Sequence, residues 1–215
     1  LAELLRDAGY QTAGFVGGFT LDAQFGFGQG FATYDCQFTK KNEKSEYIAD
    51  RTAGEVNRPA LAWLEKNATK PFFVFLHYFD AHLPYEPPFP YASSFAGDLY
   101  SGEIAYVDSC IGQVVERLRA LGAYDNTLLI ITSDHGEGLG EHGERAHAVL
   151  IYQSTLHVPL VIRVPHGRRG LQVQGNVNLV DIVPTVLDLV GLKAPPQVQG
   201  LSLRRSLEGQ PAPAR

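Results

Sequence analysis

The run TSDHGEGLGEHGERAH, residues 132–147, holds three histidines, one aspartate and three glutamates in sixteen positions. Asp134 and His135 are adjacent and Gly136 follows them. A carboxylate oxygen beside an imidazole nitrogen suits a divalent cation. Successive residues of a strand point to opposite sides, so this pair converges on one ion only where the chain turns, and Gly136 permits a turn. The competing explanation is a helix N-cap supplied by Asp134, with His135 incidental. On these residues alone the two stand level. His147 lies twelve residues past His135. That is far enough for the loop to fold back and bring a proton donor or a charge-stabilising group to the same place. The plainer alternative is a surface histidine. Glu141 and His142 read as parts of a solvated loop held by its glycines, and Glu137 has no assigned role.

A second group lies in DAHLPY, residues 80–85. His82 is placed to donate a hydrogen bond to an anionic ester oxygen, although a lone loop histidine more often does nothing. Asp80 either joins a second metal site or orients His82, and the close spacing favours orientation. His77 sits inside an apolar run and reads as a core residue.

These loops need elements to hold them. PFFVFLHYF, residues 71–79, is apolar without alternation, as expected of a central strand covered on both faces. Further strands are expected in QTAGFVGG, TLLIIT and VPLVIRVP, and the segment from Gly18 to Asp35 as irregular surface. Helical spacing marks LAELLRDAGY, residues 43–67 with Pro59 kinking or restarting the helix, residues 100–121 closed by Gly122, and residues 176–191 stopped by Gly191. Residues 196–215 read as loop or tail with at most one short helix. Apolar strands separated by helices predict an α/β fold, a mostly parallel central sheet with helices on both faces. In such sheets ligands bind beyond the carboxyl ends of the strands. That rule selects the loops after residues 71–79 and 127–132, where the polar chemistry lies.

Composition narrows the possibilities. The chain has 215 residues, 45% hydrophobic and 19% charged, which fits a globular chain with room for one sizeable domain or a domain plus an appendage, and 1–215 is read as one domain portion. A net charge of −5 argues against a nucleic-acid surface. Cys36 and Cys110 share no CxxC spacing and build neither a zinc framework nor a disulfide scaffold, although one bridge between them stays open. No apolar run reaches the ~20 residues of a membrane span. The chain has no methionine and starts inside a helical pattern, so it is expected to be an N-terminally truncated piece whose address signal is out of view.

Three blocks in order carry a resemblance: PFFVFLHYFDAHLPYEPP, then GEIAYVDSCIGQVVERLRALGAYDNTLLIITSDHGEGLGEHGE, then HVPLVIRVP, with VDIVPTVLDLVGL after them. Together they resemble the sulfatase family of the alkaline phosphatase superfamily over nearly the whole chain. The resemblance implies an alkaline-phosphatase-like fold and hydrolysis of a sulfate monoester borne by a small molecule or a glycan. It implies Asp134 and His135 as metal ligands, usually for Ca2+, with Mg2+, Mn2+ or Zn2+ as alternatives. His82, in His-x-Pro-Tyr, matches a histidine that contacts the sulfate ester. His147 falls where many members carry a lysine on the sulfate oxygens, which leaves its role open between anion binding and leaving-group acid.

One departure matters. The family nucleophile is a formylglycine made from Cys or Ser in Cys/Ser-x-Pro-x-Arg, and neither that pattern nor the paired aspartates completing the metal site occurs here. Both are expected upstream, so these residues alone are expected not to turn over substrate. A periplasmic, extracellular or lysosome-like compartment is expected before the cytoplasm. The rivals are a phosphate or phosphonate ester hydrolase of the same superfamily and a non-catalytic binding domain. Asp80-x-His82, in place of the Asp-x-x-x-His usual in two-zinc relatives, favours the one-metal sulfatase. Oligomeric state is not legible.

Overall fold

The computed structural model describes residues 1–38, 40–41, 49–143, 146–147 and 150–213. Two compact units divide the chain, Leu1–Tyr124 and Asp125–Arg215. The fold is mixed α/β, with a parallel sheet and helices.

The first unit opens with α1 (Ala2–Asp7) and β1 (Gln11–Val16), followed by β2 (Thr33–Asp35). A short antiparallel pair, β3 (Lys40–Lys41) and β4 (Ala49–Asp50), precedes α2 (Ala53–Asn67), β5 (Phe72–His77), α3 (Tyr91–Ser94) and α4 (Leu99–Ala120). The sheet order is β2–β1–β5, and both pairings are parallel. A parallel neighbour needs a long crossover, and α2 supplies it between β1 and β5. β1 lies between two partners and is buried from Thr12 to Val16. Ala13 and Phe15 pack with Val56 and Ala60 of α2, while Leu64 of α2 packs with Val114 and Leu118 of α4. Burying each of the larger side chains contributes roughly 1.5–3 kcal/mol, so α4 is tied firmly to the layer beneath it.

Several expectations shift here. Helix α2 begins at Ala53, ten residues later than the spacing suggested, because Ala49–Asp50 pair as a strand and Glu55 caps the helix start. Its carboxylate accepts from the Thr52 N–H at 2.8 Å and from the Thr52 hydroxyl at 3.0 Å. The rest of the expected early part, residues 43–48, lies outside the described residues. The helix passes through Pro59 unbroken. β2 emerges from the segment expected to be irregular. β5 is an edge strand of this unit's sheet, and Phe75 stays 40% exposed. Cys36 and Cys110 are both free thiols.

The second unit contains β6 (Leu129–Thr132), α5 (Gln153–Leu156), β7 (Leu160–Arg163), α6 (Ile182–Leu189) and α7 (Arg204–Leu207). β6 and β7 pair antiparallel, an exception to the parallel pattern. Among the described residues joining them, no helix exceeds four residues, so no long helical crossover is available. Asp181, fully buried before α6, accepts the N–H groups of Asn178 and Leu201 at 2.8 Å each. Those bonds fasten the tail containing α7 to this unit.

Candidate functional site

In the second unit the chain leaves β6 at Thr132 and turns at once. The Thr132 hydroxyl donates to the Pro159 carbonyl at 2.8 Å, and the Ser133 hydroxyl donates to the His135 carbonyl at 2.6 Å. Asp134 Oδ1 accepts the His135 N–H at 3.0 Å and lies 3.8 Å from His135 Nε2. Residues 135–140, directly after Asp134, are not helical, so the capping explanation is removed. Gly136 serves close packing and not a left-handed turn. A Cβ there would sit 2.1 Å from the Ser154 carbonyl oxygen, and the Gly136 N–H donates to Thr155 at 2.9 Å.

The tautomer of His135 follows from its partner. Nδ1 lies 2.8 Å from the Gly136 carbonyl. A carbonyl only accepts, so Nδ1 carries the proton and Nε2 keeps a lone pair. A carboxylate oxygen and an imidazole lone pair thus stand side by side on a solvent-facing turn, the donor types a divalent cation takes. They are two donors. Among the described residues no group of three or more His, Cys, Asp or Glu is assembled for a metal.

His147 folds back as the spacing allows. Its ring lies 4.1 Å from that of His135, centroid to centroid. Its Nδ1 is 3.1 Å from Glu137 Oε1, and the Glu137 side chain is only 5% exposed. Glu137 Oε1 also accepts the Gly138 N–H at 3.2 Å. A carboxylate accepts, so His147 donates through Nδ1 and turns Nε2 to other work. Glu137 is the residue the sequence left unassigned. Its signal was its place two residues past His135 in the same polar run. Glu141 and His142 act locally: hydrogen bonds from its own backbone N–H and from the Leu139 N–H, the latter at 2.7 Å, hold the Glu141 carboxyl below the usual range, and His142 stacks on Tyr152.

His82 belongs to the first unit and is described there. Its ring stacks on Phe79 at 4.2 Å, and Nδ1 lies 2.7 Å from the Leu83 carbonyl. Nδ1 is therefore a donor, and Nε2 donates to an anion only when the ring is doubly protonated. Asp80 Oδ2 accepts the Ala53 N–H at 2.7 Å, at the start of α2. Burial raises the Asp80 carboxyl, against the opposing pull of the Ala53 N–H.

The sequence missed Glu103 on α4. It is 4% exposed and accepts two loop N–H groups, His82 at 3.0 Å and Glu86 at 2.7 Å. Burial pushes its carboxyl up to about 7. An acid raised in this way holds its proton more tightly folded than unfolded. Its contribution to stability is full below about 4.5 and is lost as pH rises through about 7. Asp80 acts in the same direction. Urea midpoints are expected to fall over that window in the wild type and to fall less in Glu103→Gln. Equal slopes in the two proteins would refute this.

The site residues thus form two groups. Asp134, His135 and His147 are brought together in the second unit with Glu137, and His82 is held in the first with Glu103. Among the described residues no helix is long and apolar enough to cross a membrane.

Comparison with known proteins adds an independent line. The family model described as Sulfatase matches residues 1–192. Arylsulfatase K of Bos taurus is 40% identical over 104 residues, 48% of this chain and 19% of that protein. An N-acetylglucosamine-6-O-sulfatase of Bacteroides thetaiotaomicron is 35% identical over 112 residues, 52% of this chain and 20% of that protein. Among solved structures, BT4656 in complex with its substrate D-glucosamine-2-N,6-O-disulfate superposes with a TM-score of 0.77 at 20% identity, covering 98% of this chain and 64% of that one. The phosphonate monoester hydrolase of Silicibacter pomeroyi gives 0.79 at 22% identity, covering 99% and 62%. At such identities the structural matches speak for the fold. The chain spans less than two thirds of each of these proteins.

Proposed function

The chain belongs to the sulfatase family, and we propose that residues 1–215 are part of the catalytic domain of a metal-dependent sulfuric ester hydrolase. The observation that carries the proposal is the loop after β6, where Asp134, His135, Glu137 and His147 stand in contact within a chain matched to that family. Sulfatases generally use a divalent metal. Here Asp134 through its carboxylate and His135 through Nε2 are assigned to hold it, with Ca2+ as the first candidate. The cation would supply positive charge to the sulfate oxygens.

The chain's own residues do the rest. His82, doubly protonated, donates Nε2–H to a sulfate oxygen while the Leu83 carbonyl keeps Nδ1 occupied. His147, with Nδ1–H held by Glu137 and a second proton on Nε2, gives that Nε2 proton to the departing alcohol oxygen as the sulfur–oxygen ester bond breaks. Water is consumed overall, and alcohol and hydrogen sulfate leave. The attacking formylglycine is assigned to sequence outside these residues, since no Cys/Ser-x-Pro-x-Arg occurs in them. A small-molecule or glycan sulfate ester is the proposed substrate class, and the named substrate of BT4656, a glucosamine disulfate, makes amino-sugar sulfates the first to try. A compartment outside the cytosol is proposed for the whole protein.

The test is direct. The full-length protein, loaded with Ca2+ or Mn2+, is assayed on nitrophenyl sulfate, nitrophenyl phosphate and a phenylphosphonate ester, with and without chelator. Sulfate turnover that leads the other two and disappears on chelation is expected. A lead by the phosphorus esters would move the protein to phosphate or phosphonate hydrolysis. No metal uptake and no turnover would leave a binding domain.

A further inference from the structure

Helix α4 makes an unusual investment in the loop that follows β5. The stretch HLPYEPPFP, residues 82–90, contains four prolines and so only five N–H groups. Glu103 takes two of them, one on each carboxylate oxygen: His82 on Oε2 and Glu86 on Oε1. Its neighbour Gly102 lets the loop come that close. A Cβ at Gly102 would lie 3.0 Å from Pro87 Cγ and 3.2 Å from Phe95 Cβ, tighter than most side chains tolerate. Rings on both sides complete the seat, Tyr85 against Tyr100 at 5.3 Å and Tyr91 against Tyr106 at 5.6 Å. The far half of α4 is locked into the core through Val114 and Leu118. Glu103 is thus a rigidly mounted acceptor that grips both ends of the pentapeptide beginning at His82.

We propose that Glu103 is a positioning residue for His82: by holding the His82 and Glu86 N–H groups on one carboxylate, it fixes the backbone from which the His82 imidazole reaches the ester. This rests on the assignment of His82 to substrate made above. Two acceptor oxygens are required, and the Glu103 carboxyl presents one to each N–H. Glutamine offers one acceptor and would turn an NH2 group toward the second N–H. The imidazole itself is set by Phe79 and the Leu83 carbonyl, which are carried by the same backbone. A shift of that backbone moves ring and partners together.

A double-mutant cycle in the full-length protein separates positioning from plain stability. Glu103→Gln is expected to lower kcat/KM for nitrophenyl sulfate about tenfold, the scale of losing an outer-shell support. In a His82→Ala background the same change is expected to cost less than about twofold, because the residue it acts through is gone. Amide hydrogen exchange at His82 and Glu86 is expected to speed up in Glu103→Gln while exchange in β1 is unchanged. If Glu103→Gln does not fold, Glu103→Asp serves, since one methylene less keeps the charge but cannot reach both amides. Equal losses in the two backgrounds, or unaltered exchange at His82 and Glu86, would overturn the role of Glu103. Failure of the sulfatase assignment shows elsewhere, as a wild type inactive on every sulfate ester.

Discussion

Asp134→Asn is expected to lower sulfate ester turnover by the full-length protein at least about a thousandfold. The size follows from what a cation does for a sulfate ester. Charge on the sulfate oxygens must be neutralised as the nucleophile arrives, and a divalent ion supplies several kcal/mol of that stabilisation. Each ~1.4 kcal/mol is a factor of ten in rate. Asparagine keeps the shape and still accepts the His135 N–H that Asp134 Oδ1 accepts at 3.0 Å. The turn after β6 should therefore survive while the negative charge that attracts the ion is lost. Bound metal, measured on the purified variant, should fall with activity, and His135→Ala should do the same by removing the Nε2 lone pair. The melting temperature of metal-free protein should stay within a few degrees of wild type, since the Asp134 side chain is 72% exposed. Full metal content with a normal rate in Asp134→Asn would remove this residue from the metal site.

Much of this geometry was legible in the residues, for physical reasons that also mark where legibility stops. The run at 71–79 and the 22-residue helix α4 carry strong apolar patterns, and both emerge within two residues of expectation at each end. Thr33–Asp35 has no such pattern. It becomes a strand because β1 offers it an edge, which only the folded sheet reveals. The start of α2 is the instructive miss. Helical spacing ran on upstream of it, yet Thr52 and Glu55 spell a capping box that marks the true first turn. At the site, Asp134, His135 and His147 could be picked out because their types are rare together and sit after a strand. Glu103 could not, since a glutamate on a long helix reads as a solvated charge. Only the packing of the proline-rich loop turns it into a buried acceptor. Asp80 errs the other way, since spacing linked it to His82 while its carboxylate is engaged with the start of α2.

His147→Ala is expected to separate substrates by their leaving groups. An alkyl sulfate expels a strongly basic alkoxide and needs a proton as the bond breaks. Nitrophenolate leaves largely unaided. General acid catalysis is worth about 10²–10⁴-fold where it is needed. The variant should therefore lose that much kcat on an alkyl or sugar sulfate and about tenfold or less on nitrophenyl sulfate. A residue that only binds sulfate oxygens would behave differently, because the anion is the same in both substrates and the losses would match. Glu137 sharpens the comparison. Its buried carboxylate accepts His147 Nδ1–H at 3.1 Å, so it fixes which nitrogen faces outward. Glu137→Ala should reproduce the pattern of His147→Ala at smaller amplitude, about 10–100-fold on the alkyl sulfate. Glu137→Gln keeps an acceptor for Nδ1–H and should recover part of that loss. Equal penalties on both substrates in His147→Ala would assign His147 to the anion and end its role as acid.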